Sequence, residues 1–356
     1  MQQIATHSIP LPAAGRLEAV PEASETIFTW DYEVRREALL DLYEKGKRLQ
    51  WNASTDIDWS IDVDPERFPD FLSAEVVNTL LNPPRKLEQQ EFVRLRMNQL
   101  GWMLSQFMHG EQGALLATAQ IVNTVPWTEA KFYAANQVVD EARHVEVYRR
   151  YLIEKHPFAY PVNPHLHTLL TQIIREPRWD VTYLGMQIMV EGLALAAFGM
   201  MHFMNPHERL LQQITGYVMR DEARHVAFGV LSLEAVYRQM TPSELRERED
   251  FIIEAAYLMR DRLLMQEVWE RLGYDLAVWT KWSIETPFMQ AFRQLLFSKI
   301  VPNLKRLGLL TQRVREAFAK IGVLQFEDMP DSTQEEKVTL PPMLAALFPQ
   351  LAPTAS

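Results

Sequence analysis

Asp140-Glu141-Ala142-Arg143-His144-Val145 recurs letter for letter as Asp221-Glu222-Ala223-Arg224-His225-Val226. Of the nine His in the chain, only His144 and His225 have a Glu three residues earlier. On a helix, residues three apart share a face, with their Cβ atoms roughly 5–6 Å apart. A carboxylate and an imidazole at that spacing can bind one ion together. Each hexapeptide also follows a lone Glu in apolar surroundings. Glu111 stands in LGWMLSQFMHGEQGALLATA, 30 residues before Glu141, and Glu191 stands in LGMQIMVEGLALAAFG, 31 before Glu222. The two halves match in motif, spacing and context. Two helix pairs related by a pseudo-two-fold would bring four Glu and two His to one point.

The flanking punctuation supports four long helices. Asn82-Pro83-Pro84 precedes an amphipathic run over about 86–119, and Pro126 separates it from a second helix over 127–154. A third helix is expected over 180–204, ended by Asn205-Pro206, and a fourth from there to about 240. Shorter helices are expected at 32–49, 165–175, 242–272, 278–297 and 301–321. Thr241 would cap the 242–272 helix, with Glu244 completing a capping box. No run alternates like a set of strands. The fold class is therefore all-α, with a four-helix core and additional N- and C-terminal helices. The expected organisation is an N-terminal arm and helix over 1–70, the helical domain over 71–325, and a polar, Pro-rich tail over 326–356.

Composition narrows the function. The net charge of −10 disfavours a nucleic-acid partner. The absence of Cys excludes disulfides, zinc fingers and thiolate clusters. The first residues lack a basic n-region and an apolar h-region, so a cytoplasmic location is expected. Residues 181–204 are apolar enough for a membrane span, but Glu191 near the centre would be costly in lipid. A helix buried in a large bundle, with the carboxylate serving a purpose, is the expectation.

That purpose follows from charge. Four carboxylates in an apolar core are strongly disfavoured as anions without a counter-charge. Two divalent ions against four Glu and two neutral His make a neutral site. The expected metal ligands are Glu111, Glu141, His144, Glu191, Glu222 and His225.

One Glu from each of two helices and Glu-x-x-His from each of two others resembles the ferritin-like di-iron and di-manganese carboxylate superfamily. The resemblance covers about residues 86–240. It implies a ferritin-like bundle holding two Fe, or a mixed Mn/Fe pair, with Glu111, Glu141 and His144 on one ion and Glu191, Glu222 and His225 on the other. Glu141 and Glu222 would be the bridging carboxylates. The D-E-x-R-H form is similar to the hydroxylase subunits of bacterial multicomponent monooxygenases. In that resemblance Asp140 and Asp221 accept the outer imidazole N–H of the opposite helix, and Arg143 and Arg224 pair with these Asp. Where those hydroxylases carry a polar residue one turn after the third Glu, this chain has Leu195. Val218 stands where p-aminobenzoate N-oxygenases carry an extra His. Tyr148, one turn after His144, matches the radical Tyr of ribonucleotide reductase small subunits. Those proteins also relay a radical through a Tyr in the C-terminal tail, and here the last Tyr is Tyr274.

The expected activity is that of an O2-activating non-haem di-iron oxygenase, a hydroxylase or monooxygenase, acting on a small or medium apolar or aromatic substrate. Phe107, Leu115, Gln187, Leu195 and Phe198, one turn or so from the lone Glu residues, would line its cavity. The alternative is a ribonucleotide-reductase-small-subunit-like oxidase or radical protein with a di-iron or Mn/Fe site. A ligand-binding oxidase and a non-catalytic scaffold that kept the repeat also stay open. No flavin or nicotinamide motif is present, so electrons would come from a separate reductase or ferredoxin, or from the substrate. No membrane partner is expected, and a homodimer stays open.

Overall fold

The computed structural model describes residues 17–64, 67 and 73–334. The start of the expected arm, residues 1–16, and the tail from 335 onward, with its apolar segment at 343–348, lie outside the described residues. Among the described residues the regular elements are all helical.

Helix α1 covers Glu37–Arg48 and α2 covers Ala74–Leu81. The long α3, Gln89–Thr124, ends where Val125 turns extended before Pro126, and α4, Thr128–Glu154, returns alongside it. The short α5, Pro164–Arg175, starts where the Asn163 side chain accepts from the backbone N–H groups of His165 and Leu166. Next come α6, Trp179–Tyr183, a π-helical turn over Leu184–Val190, and α7, Glu191–Met204. Helix α8, Arg209–Tyr237, packs back along α7 and the π turn. Contacts of α4 with α8, and of α3 with the π turn, close the four-helix core. This is the ferritin-like arrangement of two helix hairpins laid side by side. The α1 helix lies across α4 and α8.

The third rod differs from the uninterrupted α-helix expected over 180–204. Close packing explains where it departs. A Cβ on Gly185 would stand 2.7 Å from Ile173 Cγ1, and a Cβ on Gly229 of α8 would stand 2.7 Å from Gln187 Cβ. Neighbouring helices are therefore close against the start and the middle of the π turn. Such turns insert one extra residue into a helix and recur at functional sites. Here the turn delivers Glu191 as the first residue of α7.

The later helices are shorter than the sequence pattern suggests. Helix α9, Pro242–Arg262, has the Thr241–Glu244 capping box, but Met265 at φ +52° separates it from α10, Gln266–Leu272. Thr286, extended before Pro287, divides α11, Leu276–Glu285, from α12, Pro287–Leu295. Gly308 at φ +74° lies between α13, Ile300–Arg306, and α14, Gln312–Ile321. Hydrophobic periodicity continues across these breaks because the segments on either side cover the same core.

Trp179–Met204 is, among the described residues, the one helix long and apolar enough to cross a membrane, and 94% of its apolar window is buried inside the protein.

Candidate metal centre

The six Glu and His singled out by the repeat lie together in the middle of the four-helix core, and all are buried. Glu111 comes from α3, Glu141 and His144 from α4, Glu191 from α7, and Glu222 and His225 from α8. Donor atoms of Glu111, Glu141, His144 and Glu222 all lie within 4.8 Å of one another, and those of Glu141, Glu191 and His225 do the same. His144 Nδ1 is 3.3 Å from Glu111 Oε2, 3.4 Å from Glu141 Oε2 and 3.1 Å from Glu222 Oε1. His225 Nδ1 is 3.1 Å from Glu141 Oε1 and 3.6 Å from Glu222 Oε1. Glu141 and Glu222 thus each approach both imidazoles and occupy the middle of the cluster.

The electrostatics are those of a strongly desolvated group of charges. Burial, then the negative charge of Glu222, pushes the Glu111 carboxyl well above the usual carboxylate range. Burial, then Glu141 and Glu222, does the same to Glu191. Burial also acts on Glu141, but the charge of His225 and the close approach of both imidazoles outweigh it and hold this carboxyl low. For His144, burial disfavours the cation, yet the charge of Glu111, the hydrogen bonds to Asp221 and Glu111 and the nearby Glu141 raise its pKa well above the usual value. His225 is raised in the same way, Glu141 and Glu222 overcoming burial. These shifts all favour the protonated forms, which lower the net negative charge of the cluster.

A pair of divalent cations fits the same groups. Oε2 of Glu141, Oε2 of Glu191, both carboxylate oxygens of Glu222 and Nδ1 of His225 are buried without a hydrogen-bond partner among the described residues. Buried polar atoms of this kind ordinarily have a partner, and carboxylate oxygens with imidazole nitrogens suit first-row divalent metals. Four carboxylates and two neutral imidazoles balance two such ions, so the cluster could hold both.

The imidazoles are held from behind in a crossed pattern. His144 Nε2 faces Asp221 Oδ2 of α8 at 3.2 Å, and His225 Nε2 faces Asp140 Oδ2 of α4 at 3.2 Å. Each Asp therefore faces the His of the other hexapeptide. Arg143 pairs with Asp140 and Arg224 with Asp221, and each Arg also lies 3.6 Å from the opposite Asp. An acceptor at Nε2 favours a proton there, so that in the neutral ring Nδ1 would be the nitrogen available to a metal. Burial works against the Asp221 carboxylate, but the hydrogen bond to His144, the charges of His144 and Arg224 and the Trp51 N–H hold its pKa low.

Three residues that the sequence did not single out also make polar contacts here. Trp51 Nε1 donates to Asp221 Oδ2 at 2.7 Å, and Gln50 Nε2 donates to Asp140 Oδ1 at 2.9 Å. No local pattern signals either, because both reach the centre from the loop after α1. The third residue, Gln137, donates from Nε2 to Glu141 Oε1 and to Glu191 Oε1, each at 2.9 Å. Its place one turn before Glu141 was the available signal.

Tyr148 is fully buried, with a hydroxyl that has no hydrogen-bond partner among the described residues. Burial, then the charge of Glu111, pushes its phenol well above the usual value. Its ring packs near Phe107 and Phe198, whose centroids are 4.4 Å apart. Of the expected cavity walls, Phe107, Gln187, Leu195 and Phe198 are buried. Leu115 is only half-buried, because it lies toward the outer face of α3 beside exposed Leu116.

Neither a protein-family model nor a curated protein sequence matches the chain. Solved structures of R2-like ligand-binding oxidases are similar to it. Two are point mutants with an anaerobically reconstituted Mn/Fe cofactor. One is 20% identical, covers 78% of this chain and 94% of its own, and has a TM-score of 0.45. The other is 17% identical, covers 81% and 94%, and has a TM-score of 0.46. A third, an R2-like ligand-binding oxidase with an aerobically reconstituted metal cofactor after photoconversion, is 16% identical, covers 84% and 94%, and has a TM-score of 0.42.

Proposed function

We propose that this chain is an O2-dependent dimetal oxidase of the R2-like kind, holding two Fe or one Mn and one Fe between Glu111, Glu141, His144, Glu191, Glu222 and His225. The observation that carries it is the convergence of two Glu-x-x-His pairs and two lone Glu into one buried cluster. When bound, a redox-active metal pair would supply the electrons that reduce O2 and the oxidising power passed to a nearby group. The protein's own part is positional. Asp140 and Asp221 fix the imidazole tautomers, and the two central carboxylates, Glu141 and Glu222, keep the halves of the site together. The aromatic layer of Phe107, Phe198 and Tyr148 excludes water from the Glu111 side.

Tyr148 favours an oxidase over a simple hydroxylase. An unpartnered phenol buried next to a ligand carboxylate is a candidate for one-electron oxidation within the protein itself. A second reading, oxygenation of a small apolar or aromatic substrate, is supported by the aromatic and aliphatic surroundings of Phe107, Leu195 and Phe198. In either case a separate reductant, a reductase or ferredoxin, would complete the electron supply.

The test is anaerobic loading with Fe(II) alone and with Mn(II) plus Fe(II), metal analysis, and then exposure to O2 followed optically and by electron paramagnetic resonance. About two metals per chain and rapid O2 uptake are expected. A tyrosyl signal lost in Tyr148→Phe supports the oxidase, and oxygen incorporated into an added aromatic substrate supports the second reading. A chain that binds no transition metal removes both.

A further inference from the structure

The hexapeptides are identical, and the crossed Asp–His contacts are 3.2 Å in both halves. Such a duplicated frame would by itself make the two metal positions alike. Among the positions where the halves differ, one touches ligand carboxylates directly. Four residues before Glu141 stands Gln137, and four residues before Glu222 stands Val218, both fully buried.

The Gln137 amide nitrogen bridges two carboxylates from different helices, Glu141 of α4 and Glu191 of α7, at 2.9 Å each. Each carboxylate gives its Oε1 to this donor and keeps its Oε2 unpartnered among the described residues. Two of the three groups around one ion position, Glu141, Glu191 and His225, are thus fixed against each other before any ion arrives. The other half has no such donor. Val218 offers only methyl groups, and both oxygens of Glu222 are without a hydrogen-bond partner among the described residues.

Restraining ligands in advance reduces the ordering that binding would otherwise require, and outer hydrogen bonds of this kind influence metal affinity by about 10–100-fold. We infer that Gln137 is a positioning residue that makes the two metal positions unequal, so that the position built on Glu141, Glu191 and His225 fills first and more tightly. The inference rests on the dimetal reading above. It does not depend on O2 chemistry.

Anaerobic titration of the full chain with Co2+, followed by its visible absorption and by calorimetry, tests it. The wild-type chain should bind two ions in two resolved steps, the tighter lost in His225→Ala and retained in His144→Ala. Gln137→Met keeps the side-chain length and removes the donor. It should weaken the tighter step by about 10–100-fold and bring the two steps together. Val218→Gln, which places an amide in the equivalent position of the other half, should tighten the weaker step. A purely structural role for Gln137 would lower the melting temperature of the metal-free Gln137→Met protein while leaving the ratio of the two affinities unchanged, and that result overturns the proposal. If Gln137→Met does not fold, an unchanged weaker step in Val218→Gln overturns it instead. Two equal steps in the wild-type chain remove this proposal alone, whereas no Co2+ uptake removes the dimetal reading with it.

Discussion

Replacing Asp140 or Asp221 by Ala removes the acceptor facing Nε2 of His225 or of His144. The imidazole then loses the contact that sets its tautomer and orientation. Each variant should keep its helicity and bind metal about 10–100-fold more weakly. Calorimetric titration beside circular dichroism checks this, and unchanged affinity in both would make these Asp ordinary charge partners of the adjacent Arg. Protonation gives a second test. Without metal, the pKa values of Glu111, Glu191, His144 and His225 are all raised above their usual ranges, which favours the protonated forms. Metal ligation requires the deprotonated forms. Loading near neutral pH should therefore release several protons, and affinity should fall as the pH is lowered. A pH-indicator titration in weak buffer measures the release, and proton-neutral binding would contradict the charge balance described for the cluster.

Among the helices, the π turn over Leu184–Val190 is fully buried and closely packed. It is pressed by α8 at Gly229, where a Cβ would meet Gln187 Cβ at 2.7 Å and Ile188 Cδ1 at 3.1 Å. Gly229→Ala should force the turn outward and destabilise the protein by about 1–3 kcal/mol through overpacking. The displaced turn leads directly into Glu191, so metal content should fall together with stability. Thermal melting and metal analysis on the same preparation check both. Normal metal content in a destabilised Gly229→Ala protein would show that Glu191 is placed independently of the turn.

Across the whole molecule, the loop after α1 reaches both halves of the centre. Trp51 and Gln50 bond Asp residues that are 170 and 90 positions away in sequence. The Arg143 guanidinium also lies 5.1 Å from the centroid of the Trp51 ring. Trp51→Phe keeps an aromatic face but deletes a hydrogen bond to a buried carboxylate, and should lower stability by about 1.5–3 kcal/mol. Denaturant titration of the metal-free protein measures it. A loss near zero would mean that Arg224 and His144 already satisfy Asp221.

The duplicated DEARHV, its i,i+3 spacing and the two lone Glu in apolar runs were legible because they depend on local helical geometry. A 3.6-residue repeat decides which side chains share a face, and breakers such as Pro126 and Asn205-Pro206 separate the long helices. Other features required the helices to be packed together. The π turn has no pattern of its own in LGMQIMV, and it lies where neighbouring helices pack closely at Gly185 and Gln187. The breaks at Met265 and Gly308 were hidden because a shared core continues the apolar periodicity across them. Gln50 and Trp51 carried no signal, because hydrogen bonds to distant carboxylates leave no trace in local spacing. Gln137 was visible one turn before Glu141, but its second bond, to Glu191, exists only because α4 and α7 meet. Covalent spacing along one helix is set by the chain itself, whereas contacts between helices are chosen by how whole faces pack.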